Sequence, residues 1–289
     1  MRSLGLDIGA TNLKLVVLEG GNVVERRNEP TRSEDGDPAT VLRRVAAFGR
    51  SVGPVDSIGV ALPGLFDEAG VAELLPNLYG NWTGVPVLEP LEELLEGPVR
   101  LINDGHAFAL AEATLGAGRG AADAMCIVCG TGIGGGLILG GRLHLGVTGR
   151  AGEFGHHTVD EDGPECPCGN RGCLELYAGA RAIAGAAAAP TFEDVVTRAR
   201  YGDADARRAL GRAGELIGLA IANVLIFLAA ERVVVGGGVT EAGDLILAPL
   251  SAAIADRARV APLDRIEVVP AELGPRAGAI GAALFGAQP

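Results

Sequence analysis

Residues 4–25, LGLDIGATNLKLVVLEGGNVVE, contain two apolar, β-prone runs on either side of the short turn Gly9-Ala10-Thr11-Asn12. A second turn, Gly20-Gly21-Asn22, separates the latter run from Val23-Val24. Apolar runs joined by glycine-rich turns predict strands that pair as hairpins. This stretch therefore predicts a β-hairpin layer at the start of the chain.

The same pattern returns after a shift of 120 residues (124 − 4), in residues 124–145, AMCIVCGTGIGGGLILGGRLHL. Thr131 then aligns with Thr11, and Gly140-Gly141 aligns with Gly20-Gly21. Both these residues and the strand pattern around them match, so an internal duplication is favoured over chance. Two similar halves, each with its own turn, predict two domains that clamp one ligand.

Strands alternate with helices along the rest of the chain. Predicted strands cover 57–62, 99–102, 232–235 and 266–269, and predicted helices cover 41–48, 88–96, 106–115, two segments within 192–210, 211–229, 244–258 and 277–285. This alternation predicts an α/β fold.

Composition limits the classes of function. The 289 residues are 48% hydrophobic, which is enough for a buried core, and the net charge of −12 disfavours nucleic-acid or anionic-membrane partners. The most apolar stretch, 216–230, is shorter than the roughly 20 residues that cross a bilayer, so a buried helix is expected. Five cysteines without a recognisable signal peptide predict a reducing, cytoplasmic setting.

Glycine is abundant, at 45 of 289 residues, and Lys14 is the only lysine. The Walker A pattern G-x-x-x-x-G-K-[ST] is absent, which excludes phosphate binding of that type. The sequence leaves two roles open for Lys14: approach to a phosphate, or a solvated charge on a strand.

The first turn has the residues for phosphate binding. Gly9 and Ala10 keep the turn bare, so that backbone N–H groups can face a phosphate, and Thr11 and Asn12 add side-chain donors. Asp7 ends a strand, where a carboxylate can hold hydrated Mg²⁺. An ordinary hairpin with an Asx turn is the alternative interpretation.

Two further glycine loops follow predicted strands. Five glycines lie within Gly130–Gly136, among them Gly132 and Gly134, which is costly unless the backbone must bend or approach a ligand. A strand rather than a helix follows this loop, so a Rossmann interpretation fails. The loop Gly236–Gly238, with Gly237 at its centre, suits a nucleotide base or ribose, or a tight strand-to-helix connection.

The strongest chemical signal is His156 followed by Cys166, Cys168 and Cys173. Three thiolates and one imidazole suit tetrahedral Zn²⁺, and four protein ligands predict a structural site. His157 is a rival ligand by spacing, and redox or merely buried thiols are the alternative. The pair Cys126 and Cys129 lies on a predicted strand, where its members point to opposite faces, so we expect core residues.

Carboxylates accompany these motifs. Glu153 and Glu175 flank the cysteine cluster, and such acids beside an imidazole suit a polyhydroxylated ligand, although surface acids are common in an acidic chain. Asn103-Asp104 follows the strand at 99–102, a position where open α/β sheets bind ligands. Asp104 there is a candidate general base, or alternatively a helix N-cap.

Together these residues resemble the ROK family (repressors, open reading frames and sugar kinases) of the actin/hexokinase-like superfamily. The segments that carry the resemblance are Asp7–Asn12, Asn103-Asp104, Gly130–Gly136, Glu153–His156, Cys166–Glu175 and Val233–Gly238. The resemblance covers essentially the whole chain. It implies a duplicated, ribonuclease H-like, actin-like ATPase fold with a cleft between two lobes.

The resemblance implies a small lobe over 1–104, joined by a returning helix at 275–289, and a large lobe over 105–274 that carries the zinc loop. It implies ATP-dependent phosphorylation of a hexose 6-hydroxyl, with Asp104 as the base. The implied sugar-binding residues are Gly64, Asn77, Asn103, Asp104, Glu153, His156 and Glu175. The implied nucleotide-binding residues, with Mg²⁺, are Asp7, Gly9, Thr11, Asn12, Thr131, Gly132, Gly134 and Gly237.

Within this class a kinase for glucose is the leading hypothesis, and kinases for N-acetylmannosamine, N-acetylglucosamine, mannose or fructose are alternatives. Polyphosphate is disfavoured as donor, since a polyanion needs a more basic channel. A sugar-sensing regulator without catalysis is the alternative from another class, disfavoured because the first turn begins at Asp7 with no DNA-binding arm before it. The resemblance suggests a homodimer or homotetramer.

Overall fold

The structure is a computed structural model that describes residues 1–31, 36–75 and 78–288. Its strands are β1 (Arg2–Ile8), β2 (Asn12–Glu19), β3 (Asn22–Pro30), β4 (Ser57–Leu62), β5 (Leu65–Phe66), β6 (Ala72–Leu74), β7 (Val99–Asn103), β8 (Ala124–Cys129), β9 (Ile133–Leu139), β10 (Arg142–His144), β11 (Arg232–Gly236) and β12 (Glu267–Pro270). Its helices are α1 (Pro38–Arg50), α2 (Leu88–Leu95), α3 (Asp104–Leu115), α4 (Glu175–Ala178), α5 (Ala180–Ala186), α6 (Phe192–Arg200), α7 (Ala204–Leu228), α8 (Asp244–Arg257) and α9 (Ala277–Gly286). The predicted α/β class is confirmed.

The chain forms two compact units. Unit 1 contains residues 1–116, 143–151 and 273–289, and unit 2 contains residues 117–142 and 152–272. The lobe boundary expected between 104 and 105 stays a prediction. In the structure the whole of α3 belongs to unit 1, as does α9.

Unit 1 is built on a five-stranded sheet in the order β3-β2-β1-β4-β7. The first three strands are antiparallel, and β4 and β7 continue the sheet in parallel with β1. Gly5 and Gly59 lie under α9, where a Cβ would come within 1.9 Å and 1.8 Å of helix carbonyl oxygens. These glycines let α9 lie directly on the centre of the sheet.

A second five-stranded sheet, in the order β10-β9-β8-β11-β12, repeats this topology, and all of it except the last two residues of β10 belongs to unit 2. Here β8 and β9 are antiparallel, and β11 and β12 run parallel with β8. The turns between the first two strands, residues 9–11 and 130–132, occupy equivalent places in the two sheets. The duplication predicted from the 120-residue shift is therefore confirmed in the topology.

The longest helix, α7, forms the core of unit 2, with Leu216, Ile217 and Ile221 almost fully buried. The sequence predicts a helix at 211–229 that is separate from the segments before it, but the structure has one helix from Ala204, because Gly211 is tolerated in its interior. By length and composition α7 could also cross a membrane. Since 56% of its most apolar window is buried, the expected buried helix explains the same pattern.

Two predicted boundaries move in ways that matter for the site. The strand β9 begins at Ile133, so Gly134 lies within a strand and pairs with Val128. The helix α3 begins at Asp104 rather than at His106, which places the Asp104 carboxylate in the first helical turn.

Candidate functional site

The turn between β1 and β2 is held by its own backbone and by Thr31. The Gly9 N–H donates to the Asn12 carbonyl at 3.1 Å, so this N–H is used to shape the turn. The Thr31 hydroxyl donates to the Gly9 carbonyl at 2.6 Å, and the Thr31 N–H donates to the Thr11 carbonyl at 2.9 Å. Thr31 is fully buried, and sequence analysis did not identify it.

Asp7 and Lys14 form an ion pair beside this turn. Their Oδ2 and Nζ atoms are 3.0 Å apart, and the β1–β2 register places the two residues directly opposite each other. Burial raises the pKa of the Asp7 carboxyl above its usual value, while the Lys14 ammonium acts in the opposite direction. Lys14 is therefore not the freely solvated charge that was one of its two predicted roles.

Asn103 holds the start of α3. Its side-chain oxygen accepts from the Gly105 N–H at 2.8 Å and the His106 N–H at 3.2 Å, and its amide nitrogen donates to the Gly64 carbonyl at 3.1 Å. The N-cap is thus Asn103, whereas the alternative interpretation gave this role to Asp104. Asp104 is half-buried and accepts from the Gly105 N–H at 2.9 Å.

His106 is a buried polar residue of α3 that sequence analysis did not identify. It is 1% exposed, and its Nε2 lies 2.6 Å from the Ala151 carbonyl oxygen. Since a carbonyl only accepts, Nε2 carries the proton and donates it. Burial lowers the pKa of His106, while the hydrogen bond to the Ala151 carbonyl acts in the opposite direction.

In unit 2, the second glycine turn packs on the segment that follows the cysteine cluster. The Gly130 N–H donates to the Gly132 carbonyl, and the Ala180 N–H donates to the Gly130 carbonyl, both at 2.9 Å. A Cβ on Gly132 would lie 3.0 Å from Glu175 Oε2. Glu175 is therefore in contact with this turn, a juxtaposition that spacing could not predict.

The predicted metal ligands come together. One ligand atom from each of His156, Cys166, Cys168 and Cys173 lies within 4.8 Å of the others. The Sγ atoms of Cys168 and Cys173 are 3.7 Å apart, which matches the roughly 3.8 Å expected for two sulfurs at tetrahedral positions about 2.3 Å from one Zn²⁺. The donor set and its spacing fit a structural zinc site.

Glu175 also lies beside this cluster. Its Oε1 is 3.5 Å from His156 Nδ1 and 3.7 Å from Cys166 Sγ. Glu153 precedes the short helical turn Phe154–His156, whose His156 N–H donates to the Glu153 carbonyl at 3.1 Å. The two predicted carboxylates thus belong to the segments that frame the metal cluster.

His157, the rival ligand, has a different partner. Its Nε2 is 3.2 Å from the side-chain amide nitrogen of Asn223 on α7. The sequence signal for this contact is Asn223, because it is a polar residue inside the most apolar stretch of the chain and needs a hydrogen-bond partner. The structure therefore places His156 in the cluster and His157 against α7.

Cys126 and Cys129 are fully buried on β8. Burial raises the pKa of Cys129 to about 12. A thiol with such a pKa is inert at neutral pH, which agrees with the expected core role.

Gly237 follows β11 with a φ of 90°, and a Cβ there would lie 2.2 Å from the Cys129 carbonyl oxygen. The tight connection that was one interpretation of this loop is therefore present. Among the predicted sugar-binding residues, Asn77 lies outside the described residues.

The sequence profile of the ROK family matches residues 3–288. The chain belongs to the ROK family. The resemblance is thereby confirmed, and with it the actin-like two-domain ATPase fold that this family shares.

Relatives of this ROK protein include a glucokinase of Halalkalibacterium halodurans, 34% identical over 96% of this chain and 92% of its own length. Among solved structures, the ROK family glucokinase from Streptomyces griseus, in complex with glucose and AMPPNP, has a TM-score of 0.86 and 29% identity, with 100% of both chains covered. The ROK hexokinase from Thermus thermophilus has a TM-score of 0.83 and 33% identity, covering 99% of this chain and 98% of its own.

Proposed function

We propose that this ROK protein is an ATP-dependent glucokinase, which converts ATP and D-glucose to ADP and glucose 6-phosphate. The glucokinase relatives support the substrate and the donor. The observation that carries the proposal is the placement of Asp104, at the end of β7 and in the first turn of α3, beside the Asn103–Gly64 hydrogen bond.

In this proposal Asp104 is the general base. Its carboxylate takes the proton of the sugar 6-hydroxyl while the oxygen attacks the γ-phosphorus, the bond to the β–γ bridging oxygen breaks, and ADP leaves. The Asn103 cap and the Gly105 N–H fix the backbone and one carboxylate oxygen of Asp104. Positioning of this kind supplies much of the rate enhancement in phosphoryl transfer.

The remaining assignments follow the family pattern. Sugar hydroxyls are assigned to Asn103, Glu153, His156 and Glu175, and Gly64 and Asn77 are assigned to the sugar by the same resemblance. ATP is assigned to the two turns and the third loop, through Gly9, Thr11, Asn12, Thr131, Gly132, Gly134 and Gly237. A single carboxylate such as Asp7 suits hydrated Mg²⁺, which neutralises phosphate charge when bound.

Zinc is proposed as a structural ion of the His156, Cys166, Cys168 and Cys173 cluster. Metal analysis of purified protein should find one zinc per chain, and Cys168→Ser should remove it. An unchanged zinc content in Cys168→Ser would refute this ligand set. The family resemblance further suggests a homodimer or homotetramer, which light scattering after gel filtration distinguishes, and cysteines that form no disulfide among the described residues agree with a cytoplasmic setting.

The test of substrate is kcat/KM with Mg-ATP across glucose, mannose, fructose, N-acetylglucosamine and N-acetylmannosamine. Glucose should give the highest value, and a higher value for an amino sugar would reassign the substrate within the family. If none of the sugars is phosphorylated, the kinase proposal is wrong, and sugar binding measured without nucleotide then tests the regulator alternative.

A further inference from the structure

His106, the buried histidine of α3, joins two segments of unit 1. Its Nε2–H donates to the Ala151 carbonyl at 2.6 Å, and its backbone N–H donates to the side-chain oxygen of Asn103 at 3.2 Å. The residue is 1% exposed, so water does not compete for the bond to Ala151. His106 therefore connects the start of α3, which carries Asp104, to the segment that ends at Ala151.

The segment that His106 holds has little regular structure of its own. Residues 145–152, all of them described, contain one short 3₁₀ turn, Val147–Gly149, and neither a strand nor an α-helix. Within this segment Thr148 has a φ of 52°, and three glycines also have positive φ values. Thr148 is β-branched, and such residues adopt this backbone conformation only where the surrounding contacts hold it. The conformation of the segment therefore depends on its anchors.

The two ends of the segment are anchored differently. At its start, Leu145 packs against the apolar cluster that α3 and α9 form with β4 and β7. Near its end, Arg150 forms an ion pair with Glu73 of β6, but these side chains are 46% and 41% exposed, and exposed ion pairs contribute little to stability. The buried bond from His106 to Ala151 is therefore the stronger polar anchor at this end.

The same segment faces a cavity of unit 1. The cavity has a volume of about 380 Å³, and Thr148 lines it together with Gly64 and Asn103, two residues to which the proposed function assigns the sugar. Glu153, another assigned residue, follows Ala151 by two positions in the chain. A displacement of the segment would therefore move one wall of this cavity and the backbone that leads to Glu153.

We propose that His106 is a positioning residue for glucose binding, whose bond to the Ala151 carbonyl keeps residues 145–152 in the conformation that accepts the sugar. This inference rests on the proposed function, because it requires a sugar at Asn103. Without the bond the free protein populates other conformations of the segment, and glucose must restore the competent one as it binds. The loss therefore falls on sugar affinity. Turnover at saturating glucose is retained, because the cap of α3 uses the backbone N–H of His106 and not its ring.

Two amide variants form a matched pair, because glutamine places its amide nitrogen near the position of Nε2 and asparagine near that of Nδ1. His106→Asn, too short to reach Ala151, should raise the glucose Kd and KM by about 5- to 30-fold, since the buried carbonyl loses its donor. His106→Gln should stay within about 2-fold of the wild type, as should kcat and the KM for Mg-ATP in both variants. Calorimetry measures Kd, and a coupled assay measures the kinetic constants.

The control variant is Glu73→Gln, which breaks the exposed ion pair to Arg150 in the same segment and leaves the His106 bond intact. Because an exposed pair contributes little, its glucose Kd should stay within about 2-fold of the wild type. A rise equal to that of His106→Asn would show that any loosening of the segment has the same effect, which contradicts a specific role for His106.

Three further results would overturn the proposal. An unchanged glucose Kd in His106→Asn removes His106 from sugar binding, and equal rises in His106→Asn and His106→Gln show that the donor is not what matters. A fall in kcat at an unchanged KM places the effect at Asp104 instead. If the wild type itself binds and phosphorylates none of the sugars in the panel, the proposed function has failed, and this is seen before any variant is made.

Amide hydrogen exchange tests the anchor without any ligand. In the free protein, residues 145–153 should exchange faster in His106→Asn than in the wild type or His106→Gln, while β1 of the same unit exchanges equally in all three. Equal exchange at 145–153 would contradict the proposed anchor. Should His106→Asn not fold, His106→Leu fills much of the space of the ring and also removes the donor, and the same results apply to it.

Discussion

At the residue scale, Asn103 ties together three segments that converge on the proposed base. Its side chain caps α3 and binds the Gly64 carbonyl. We expect Asn103→Ala to lower the free energy of unfolding by about 1–2 kcal/mol, because both the cap and the Gly64 bond are lost. Urea denaturation followed by circular dichroism measures this change.

The matched control for this prediction is Asn103→Ser, which keeps a side-chain oxygen that can cap the helix and removes the amide donor to Gly64. Its loss of stability should be smaller than that of Asn103→Ala. Equal losses in the two variants would show that the cap contributes nothing.

Protonation of His106 should reduce stability at acidic pH. Its folded-state pKa is lowered from 6.5 by burial, so the unfolded chain binds the proton more tightly. The contribution of neutral His106 is therefore complete above pH about 6.5 and is lost as the pH falls through the lowered folded pKa. Urea denaturation of the wild type and of His106→Gln at several pH values measures it.

The wild type should lose more stability than His106→Gln between neutral pH and pH about 5, because glutamine does not titrate. Parallel pH profiles for the two proteins would contradict the assignment of this titration to His106.

Two adjacent glycines give a stringent comparison in the third loop. Gly237→Ala should cost about 2 kcal/mol or more, since φ is 90° and the new Cβ would lie 2.2 Å from the Cys129 carbonyl oxygen. Gly238→Ala, with nothing within 4 Å of its Cβ, should change the free energy of unfolding by no more than about 0.5 kcal/mol. Thermal unfolding compares them, and equal values would disprove the packing argument.

At the element scale, the metal loop supports the second glycine turn through α4 and the start of α5. The Ala180 N–H binds the Gly130 carbonyl, and Glu175 touches both the cluster and Gly132. We therefore expect Cys168→Ser, as it loses zinc, to increase amide hydrogen exchange in residues 129–133 as well as in the loop itself.

The turn at residues 9–12 in unit 1 is the internal control for this experiment, since it should exchange as in the wild type. Unchanged exchange at 129–133 after proven loss of zinc would show that the turn does not depend on the metal loop.

The sequence predicted helices, strands and turns well wherever a local sequence signal marks them. The Gly20-Gly21 turn and the strand 57–62 carry such signals, and both are found. It misplaced the start of α3, because the capping residue is chosen by side-chain geometry at Asn103. It also divided α7 at Gly211, because helix propensity is weaker than the packing of a buried helix.

The sequence predicted which residues belong to the candidate site better than it predicted which of them contact each other. The cysteine spacing predicted the metal cluster, but only the structure distinguishes His156 from His157, since adjacent residues satisfy the same spacing. The pairing of Lys14 with Asp7 depends on the register between β1 and β2. The geometry of the turn sets this register, and the apolar pattern alone does not specify it.

At the scale of the whole molecule, each repeat contributes a sheet with an equivalent turn, and each has acquired different chemistry. Unit 1 carries the Asp7–Lys14 pair and Asp104, whereas unit 2 carries the metal cluster and Glu175. A duplicated topology with unlike side chains is compatible with a kinase that binds two unlike substrates. The proposed reaction is therefore a property of the entire chain.

The most direct test of this account separates sugar binding from phosphoryl transfer in Asp104→Asn. Glucose binding, measured by calorimetry, and glucose 6-phosphate formation from Mg-ATP are compared for the wild type, Asp104→Asn and the exposed control Asp264→Asn. We predict that the wild type and Asp264→Asn form glucose 6-phosphate, and that Asp104→Asn binds glucose with a similar Kd but loses turnover by at least about 100-fold. Turnover retained in Asp104→Asn would contradict its role as base, and a wild type that forms no glucose 6-phosphate would contradict the central claim.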